Sequence, residues 1–335
     1  MKLGFKFSTI ILLIFFPVFC ALVSLCVGRL NISVSEVFNS ILARFSLTEK
    51  SSALVESAVW NIRFPRILLS ALVGLGLSVS GLVFQSLFSN PLATPDTLGI
   101  ASGTSFGAIL GIICGLSVFF TQLLAFFTGI LALVLTYLGS RVGKGNNVSL
   151  ILSGIMIGAL FNALLSLLRF LADTETQLPS ITYFLMGSLD GRGYSSLLFG
   201  APIILICSLF IFLLRWRLNV MVLNTEEIIS LGINVKLLRA VFILLATVIV
   251  STAVSMCGQV GWVGLLVPHA CRLIFGNNYI KLVPASLSIG SSFLIITDTL
   301  ARSMYASEIP ISILTAIIGA PFFIFLMVKN KGIFS

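Results

Sequence analysis

Arg63 and Arg66, in the stretch IRFPR (Ile62–Arg66), and Asp298 and Arg302, in DTLAR (Asp298–Arg302), are charges set against long apolar runs. Asp298 and Arg302 stand four residues apart, a spacing at which they can pair on one helix. Arginines at a span end can also offer cations to an acidic partner or snorkel toward a membrane interface. His269 is the single histidine, with Arg272 one turn later in PHACR. It lies in no cluster that could hold a metal, so a structural hydrogen bond, or one near a coupling surface, suits it. Six cysteines (Cys20, Cys26, Cys114, Cys207, Cys257, Cys271) fall singly in apolar runs. Without a C-x-x-C pair they indicate neither a disulfide framework nor a zinc site, and they read as inert buried thiols. No H-E-x-x-H and no nucleophile–base set is present, which argues against an intramembrane enzyme. The nearest approach to a phosphate-binding G-x-x-x-x-G-K-[ST] loop is Gly143-Lys144, with Gly145 next and Leu138 where the first glycine is needed. The sequence therefore predicts a protein with no catalytic residues, cofactor or metal site of its own.

The elements that must position these charges are membrane spans. Of 335 residues, 58% are hydrophobic and 9% charged, against about 25% charged in soluble domains. A bilayer core takes about 20 apolar residues per helical crossing. Continuous rather than alternating apolar runs predict helices, not a barrel. Charges, Pro and Gly delimit ten spans, at 8–28, 67–88, 98–116, 118–140, 148–171, 196–214, 239–258, 260–275, 282–301 and 309–328. Lys2 and Lys6 precede an apolar stretch too long for a signal h-region and without a small-residue cleavage site, so it reads as a retained first helix. With the N-terminus cytoplasmic, the inner side carries twelve of the 20 basic and three of the 11 acidic residues, and the outer side balances. This positive-inside pattern places both termini in the cytoplasm and accounts for the basic balance without nucleic acid.

Two connections stand out. The elbow NPLATPDTLGIASG (Asn90–Gly103) holds Pro91 and Pro95, which stop the second span and predict a fixed hairpin on the cytoplasmic side. Behind it Gly99, Gly103, Gly107, Gly111 and Gly115 line one helix face and predict close helix packing. The loop 215–236 predicts a short helix over 225–231. Asn224 and Glu227 have capping-box spacing, Glu226 and Glu227 favour the N-terminus, and Gly232 suits the left-handed position after the end. Ile228, Ile229 and Leu231 would be apolar knobs on it, or the helix could lie on the membrane interface.

These stretches, with GLVFQSLFSNPLATPDTLGIASG (Gly81–Gly103), GQVGWVGLLVPHACR (Gly258–Arg272), YFLMGSL (Tyr183–Leu189) and EIPISILTAIIGAPFFIFLM (Glu308–Met327), resemble the permease subunits of ABC importers for ferric siderophores, haem and vitamin B12, the FecCD-type family. The resemblance runs from about residue 10 to 328. It implies an all-α polytopic subunit of about ten transmembrane helices with the type II ABC importer permease fold, one permease domain over 1–335. It implies a bacterial inner-membrane location, a second permease subunit, two cytoplasmic ABC ATPases and a periplasmic substrate-binding protein. The loop 215–236 would dock into the ATPase through Asn224, Thr225, Glu226, Glu227, Ile228, Ile229, Leu231 and Gly232. Asn224 stands where the family usually has Gly and Ile228 where it has Ala, which makes a bulkier docking surface. Arg63, Arg66 and Arg302 match arginines that face the periplasm and pair with acidic residues of the binding protein. The fifth span and the segment after it, about 176–190, would line the pathway, with Gly154, Met156, Ser166 and Arg169 in or near it.

Two other classes compete with an ATP-driven permease. An ion-coupled secondary transporter usually has an ionisable group deep in the bundle, and Asp298 is the only acid well inside a run, near its outer end. An intramembrane enzyme lacks its constellation, as above. Ferric siderophore is the first expected cargo, then haem, cobalamin and molybdate-like oxyanions. Any metal arrives wrapped in a chelator, which fits spans without sets of carboxylate, His and thiolate ligands.

Overall fold

The computed structural model describes residues 7–44, 46, 52–142, 147–223, 225–305 and 307–329. Its elements in order are α1 (Phe7–Cys26), α2 (Val34–Arg44), α3 (Ala53–Glu56), a π-helical turn (Ser57–Arg63), α4 (Phe64–Leu87), a 3-10 turn (Pro95–Leu98), α5 (Ile100–Ile113), α6 (Val118–Val142), α7 (Asn147–Leu171) and α8 (Gln177–Leu185). Then follow α9 (Tyr194–Leu213), α10 (Arg215–Val220), α11 (Thr225–Ser230), α12 (Val235–Cys257), α13 (Val263–Phe275), α14 (Tyr279–Ser303) and α15 (Ile311–Lys329). Seven helices are long and apolar enough to span a membrane, and α5, α13 and α15 are shorter apolar helices. Each of the ten expected spans has its helix.

The second span begins much earlier than 67, because α3, the π turn and α4 form one 35-residue helix, Ala53–Leu87. Pro65 explains the widened turn. It lacks an N–H, and its ring crowds the carbonyl four residues back. The turn before it opens to the π pattern, and the Phe64 N–H reaches the Val59 carbonyl. The eighth span is shortened, since 258–262 is irregular and α13 starts at Val263.

Helix α4 is the central mast, buried nearly all round, as a helix apolar on every face should be. Small residues let its neighbours close in. The Ser78 hydroxyl donates to Ser286 O at 2.8 Å and Ser291 to Ala71 O at 3.1 Å, which sets α14 antiparallel to α4. Helix α1 runs parallel to α14, with Ser24 and Thr299 hydroxyls 2.6 Å apart and Ser288 bonded to Leu13 O. A Cβ on Gly81 would collide with the Gly264 backbone of α13, so that contact exists only without side chains. Three rungs of the glycine ladder pack as their spacing predicts, whereas Gly115 lies beyond the end of α5 at φ 65° with nothing within 4 Å of where a Cβ would stand. Gly103, Gly107 and Gly111 lie against α6 at Ala132, Thr128 and Thr121. Gly99 instead takes the left-handed conformation (φ 70°) and meets α7 at Gly154 and Gly158. Sequence reasoning missed α2, too short and polar for a span. Its start is a capping box, in which the Ser33 N–H donates to Glu36 at 2.8 Å and the Glu36 N–H to the Ser33 hydroxyl at 3.3 Å.

Candidate functional site

At the end where α1 and α14 finish and α4 begins, the arginines of the sequence motif are buried. Arg66, 7% exposed, donates from Nε to both Asp298 oxygens (3.0 and 3.1 Å) and from Nη2 to Oδ1 (2.8 Å). Its Nη1 reaches Glu308 Oε1 at 2.9 Å. Arg302 stands 3.9 Å from Asp298 and bonds to Ser24 of α1 through O and Oγ. Arg63 is tied to the carbonyls of Leu25 (2.6 Å) and Leu30 (2.7 Å). The internal pairing of Asp298 with Arg302 is thus present, and all three arginines hold main-chain or carboxylate partners within the chain. They do not stand open at the outer mouth as expected. Two carboxylates and the carbonyls at and just after the end of α1 capture them, since a buried guanidinium without partners is costly. Arg29, with its side chain 48% exposed and 4.0 Å from Glu308, is an open cation beside them.

The opposite end gathers the elbow, the 215–236 loop and the C-terminal end of α13. Helix α11 spans Thr225–Ser230, close to the expected 225–231, and Gly232 takes the left-handed conformation at φ 71°. Ile233 N bonds Ile228 O at 3.4 Å across it, the closure expected of a glycine-terminated helix. Of the expected knobs, Leu231 is 59% exposed, but Ile228 is only 2% exposed and packs into the main core. Ile228 therefore anchors α11 instead of projecting from it. Glu227 is exposed. Asn224 and the side chains of Thr225, Glu226 and Ile229 lie outside the described residues.

A hydrogen-bonded chain leads from this loop into the bundle. Asn219 on α10 accepts from the Tyr279 N–H (3.0 Å) and donates to Asn278 (3.2 Å) at the start of α14. The Tyr279 hydroxyl accepts from Arg272 at 3.4 Å. Arg272 also donates to Gln85 Oε1, and Gln85 in turn donates to Gly264 O at 3.3 Å. Beside this chain lies a cavity of about 480 Å³. His269 flanks it, 5% exposed, with its ring tilted on Phe323 at 5.2 Å. Its Nδ1 has no hydrogen-bond partner among the described residues, so the expected structural hydrogen bond is not made through that atom.

Helix α7 carries the expected pathway residues in two environments. Gly154 is buried against Thr97 and Leu98 of the elbow, and so positions the elbow rather than lining an open face. Met156 is 66% exposed, and Ser166 and Arg169 are exposed too. Asn162, missed in the sequence, joins them, accepting from the Ser166 hydroxyl at its carbonyl (2.9 Å). Asn162, Ser166 and Arg169 recur at helical spacing along one side, and such a polar line inside an apolar span turns from lipid toward water or another helix. The segment after α7 forms α8, and Gly187 beyond it has φ 73°. Among the described residues no group of three or more His, Cys, Asp or Glu could hold a metal ion.

The model of the FecCD transport family matches residues 13–329. The molybdate import system permease protein MolB of Haemophilus influenzae is 39% identical, over 94% of this chain and 93% of that protein. The hemin transport system permease protein HmuU of Yersinia pestis is 34% identical, over 99% and 96%. A solved structure described as an inward-facing conformation of a metal-chelate type ABC transporter superposes with a TM-score of 0.87 and 36% identity, over 96% of this chain and 99% of that one. PsaBC from Streptococcus pneumoniae, at 15% identity and a TM-score of 0.59, shares the fold alone.

Proposed function

Because the chain belongs to the FecCD transport family, we propose that it is the permease subunit of an ATP-driven ABC importer carrying a metal chelate from periplasm to cytoplasm. A ferric siderophore is the first cargo, with haem, cobalamin or a molybdate-like oxyanion as the others of this class. One permease domain, 1–335, pairs with a second permease subunit in the inner membrane, with both termini cytoplasmic. Two separate ABC ATPases grip the 215–236 loop, where Leu231 and Glu227 are exposed. A periplasmic binding protein seats on the opposite end, where Arg29 supplies exposed charge and Arg63, Arg66 and Arg302 fix the helix ends beneath it. Met156, Asn162, Ser166 and Arg169 of α7 line the passage between two permease subunits.

The observation that carries this reading is the bond sequence from Asn219 through Tyr279 and Arg272 to Gln85. It joins the loop that an external motor would move to the end of the central helix. The test is reconstitution in vesicles with the ATPase and binding protein. Uphill uptake of a labelled ferric siderophore should begin on adding ATP inside. The chain alone, energised by a proton gradient, should accumulate nothing; uphill import under that condition would establish a secondary transporter instead.

A further inference from the structure

Helices α6 and α9 meet near their starts. The Gln122 amide donates to the Ser196 hydroxyl at 2.9 Å, both residues buried, and the Phe199 ring stands edge-on to Phe119 (5.9 Å) and Phe126 (6.4 Å). Both spans therefore run in the same direction from that end. Helix α12 runs back along them. A Cβ on Gly129 of α6 would collide with Ser251, and one on Gly200 of α9 with Met256, while Ile204 and Ile249 both border Gly76. From Ile249 to Cys257 every residue of α12 is buried. Toward the start of α12 the cover is lost: Leu237 is 62% exposed, Leu244 is 50% exposed, and Ala240 lies open too. Winding at about 3.6 residues per turn puts Leu237, Leu244 and the half-buried Val248 between the Ser251 and Met256 sides of the helix. So α6 and α9 part toward the α11 end and leave an apolar groove with α12 as its floor.

The mouth of this groove is basic. Arg141 stands in the last turn of α6, Arg215 and Arg217 follow α9, and Lys236 opens α12. At about 1.5 Å per residue from the level where Ser251 meets Gly129 and Met256 meets Gly200, all four come about 15–23 Å toward the α11 end, so they share one level. Arg141 stacks on Tyr137 at 4.9 Å and Arg217 on Trp216 at 5.2 Å, both rings half exposed. Aromatic rings of this kind gather at headgroup depth. Arg141, Arg217 and Lys236 are exposed, and none of the four cations takes part in an ion pair among the described residues. The groove walls continue as apolar stripes, with Val134 and Leu138 exposed on α6 and Leu209 and Leu213 on α9. An apolar slot running along two spans and rimmed by unpaired cations complements an acyl chain beneath a negative headgroup.

We propose that this groove binds one anionic phospholipid from the leaflet at the α11 end, with an acyl chain along Leu237 and Leu244 and the phosphate among Arg141, Arg217 and Lys236. The lipid fills the space that parts α6 from α9 and meets α10 beside Asn219, the first residue of the bond chain to Gln85. The inference needs only a membrane-embedded bundle, so its failure would leave the import reading untouched.

Native mass spectrometry of the unaltered chain, released from detergent after titration with phosphatidylglycerol or phosphatidylcholine, reads the site. One phosphatidylglycerol should be retained saturably, and phosphatidylcholine about a hundredfold more weakly, three cations at roughly fivefold each. Arg141→Gln and Lys236→Gln should each weaken retention of phosphatidylglycerol about fivefold. Arg44→Gln, the loss of an exposed cation at the opposite end, should leave it unchanged. Leu244→Trp fills the groove without touching a charge and should weaken retention about tenfold. Equal retention of the two lipids, or binding that climbs without saturating as a lipid annulus does, would overturn the proposal. So would a loss in Arg44→Gln as large as that in Arg141→Gln, or full retention in Leu244→Trp.

Discussion

Replacing Asp298 by Ala tests whether the buried arginines brace this bundle or serve chiefly as contacts for a partner. In the native arrangement Arg66 spends its donors on two carboxylates, with N···O separations from 2.8 to 3.1 Å, and Arg302 lies 3.9 Å from the same Asp298. The Asp298 side chain is 1% exposed. Its removal leaves two guanidinium groups sharing Glu308 in a dry site. Breaking such a pair from one side costs about 3–5 kcal/mol. In a chain of this size that lowers an apparent melting midpoint by about 4–7 °C. Arg29→Ala is the matched control: it meets Glu308 at 4.0 Å with half its side chain exposed and should cost about 1 kcal/mol or less. Fluorescence-detected melting in detergent reads both variants. The double change Arg66→Ala with Asp298→Ala should fall short of the sum of the single losses, because each single leaves a charge stranded. Equal small shifts for Asp298→Ala and Arg29→Ala would refute the brace. So would Arg63→Glu and Arg302→Glu variants that melt normally yet no longer bind the soluble partner, the outcome open docking arginines require.

Ile228→Ala should cost about 2–5 kcal/mol of stability as a truncation in a packed core, read as a lower melting midpoint. Leu231→Ala should leave melting unchanged and weaken co-purification of the ATPase. Gly258→Ala should destabilise by about 1–3 kcal/mol or more, read by the same melting assay, since φ 75° and the Phe184 carbonyl both reject a Cβ. Gln85→Ala and Arg272→Ala should each reduce uptake more than ATPase activity in reconstituted vesicles, and their effects should be non-additive by about 0.5–3 kcal/mol if the bond chain transmits motion. Thr176 donates to Asp173 from its N–H (2.7 Å) and hydroxyl (2.6 Å) in the α7–α8 connection, which holds that carboxyl below its usual range. A depressed folded value means the turn is supported above the unfolded pKa and loosens as pH falls through the folded one. Thr176 N–H exchange should therefore gain protection from Asp173 at neutral pH and lose it in acid, whereas Asp173→Asn should abolish that dependence.

Most of the architecture could be read in the residues because each span is a long apolar run and its ends carry charge, Pro or Gly. The helix over 225–230 was legible for a local reason: its start and stop signals lie within eight residues. Long-range placement was not. Nothing near Arg66 announces that Asp298 and Glu308, more than 230 residues away, will close on it, so arginines at a span end looked open. Ile228 and Leu231 are equally apolar, and only the packing of α11 on α12 decides which one turns inward. The elbow looked like an outside corner because prolines end helices; that its Ala93, Pro95 and Leu98 would pull it back into the bundle depends on Gly264 and Gly154 leaving room. Asn162 was hidden for the opposite reason, a single amide among leucines whose helix shows only in three dimensions which side is open.

The widened turn at Ser57–Arg63 makes the helix tolerant of a change in chain length at this one place, because a π turn takes up one residue more than ordinary winding would. Deleting one residue there would let ordinary winding resume with nearly the same total rotation, so α2 above and the mast below would keep their relative facing. A single-codon loss at this point would thus be felt at the turn itself, where the Trp60 indole N–H donates to Ser40 at 3.1 Å, and little beyond it.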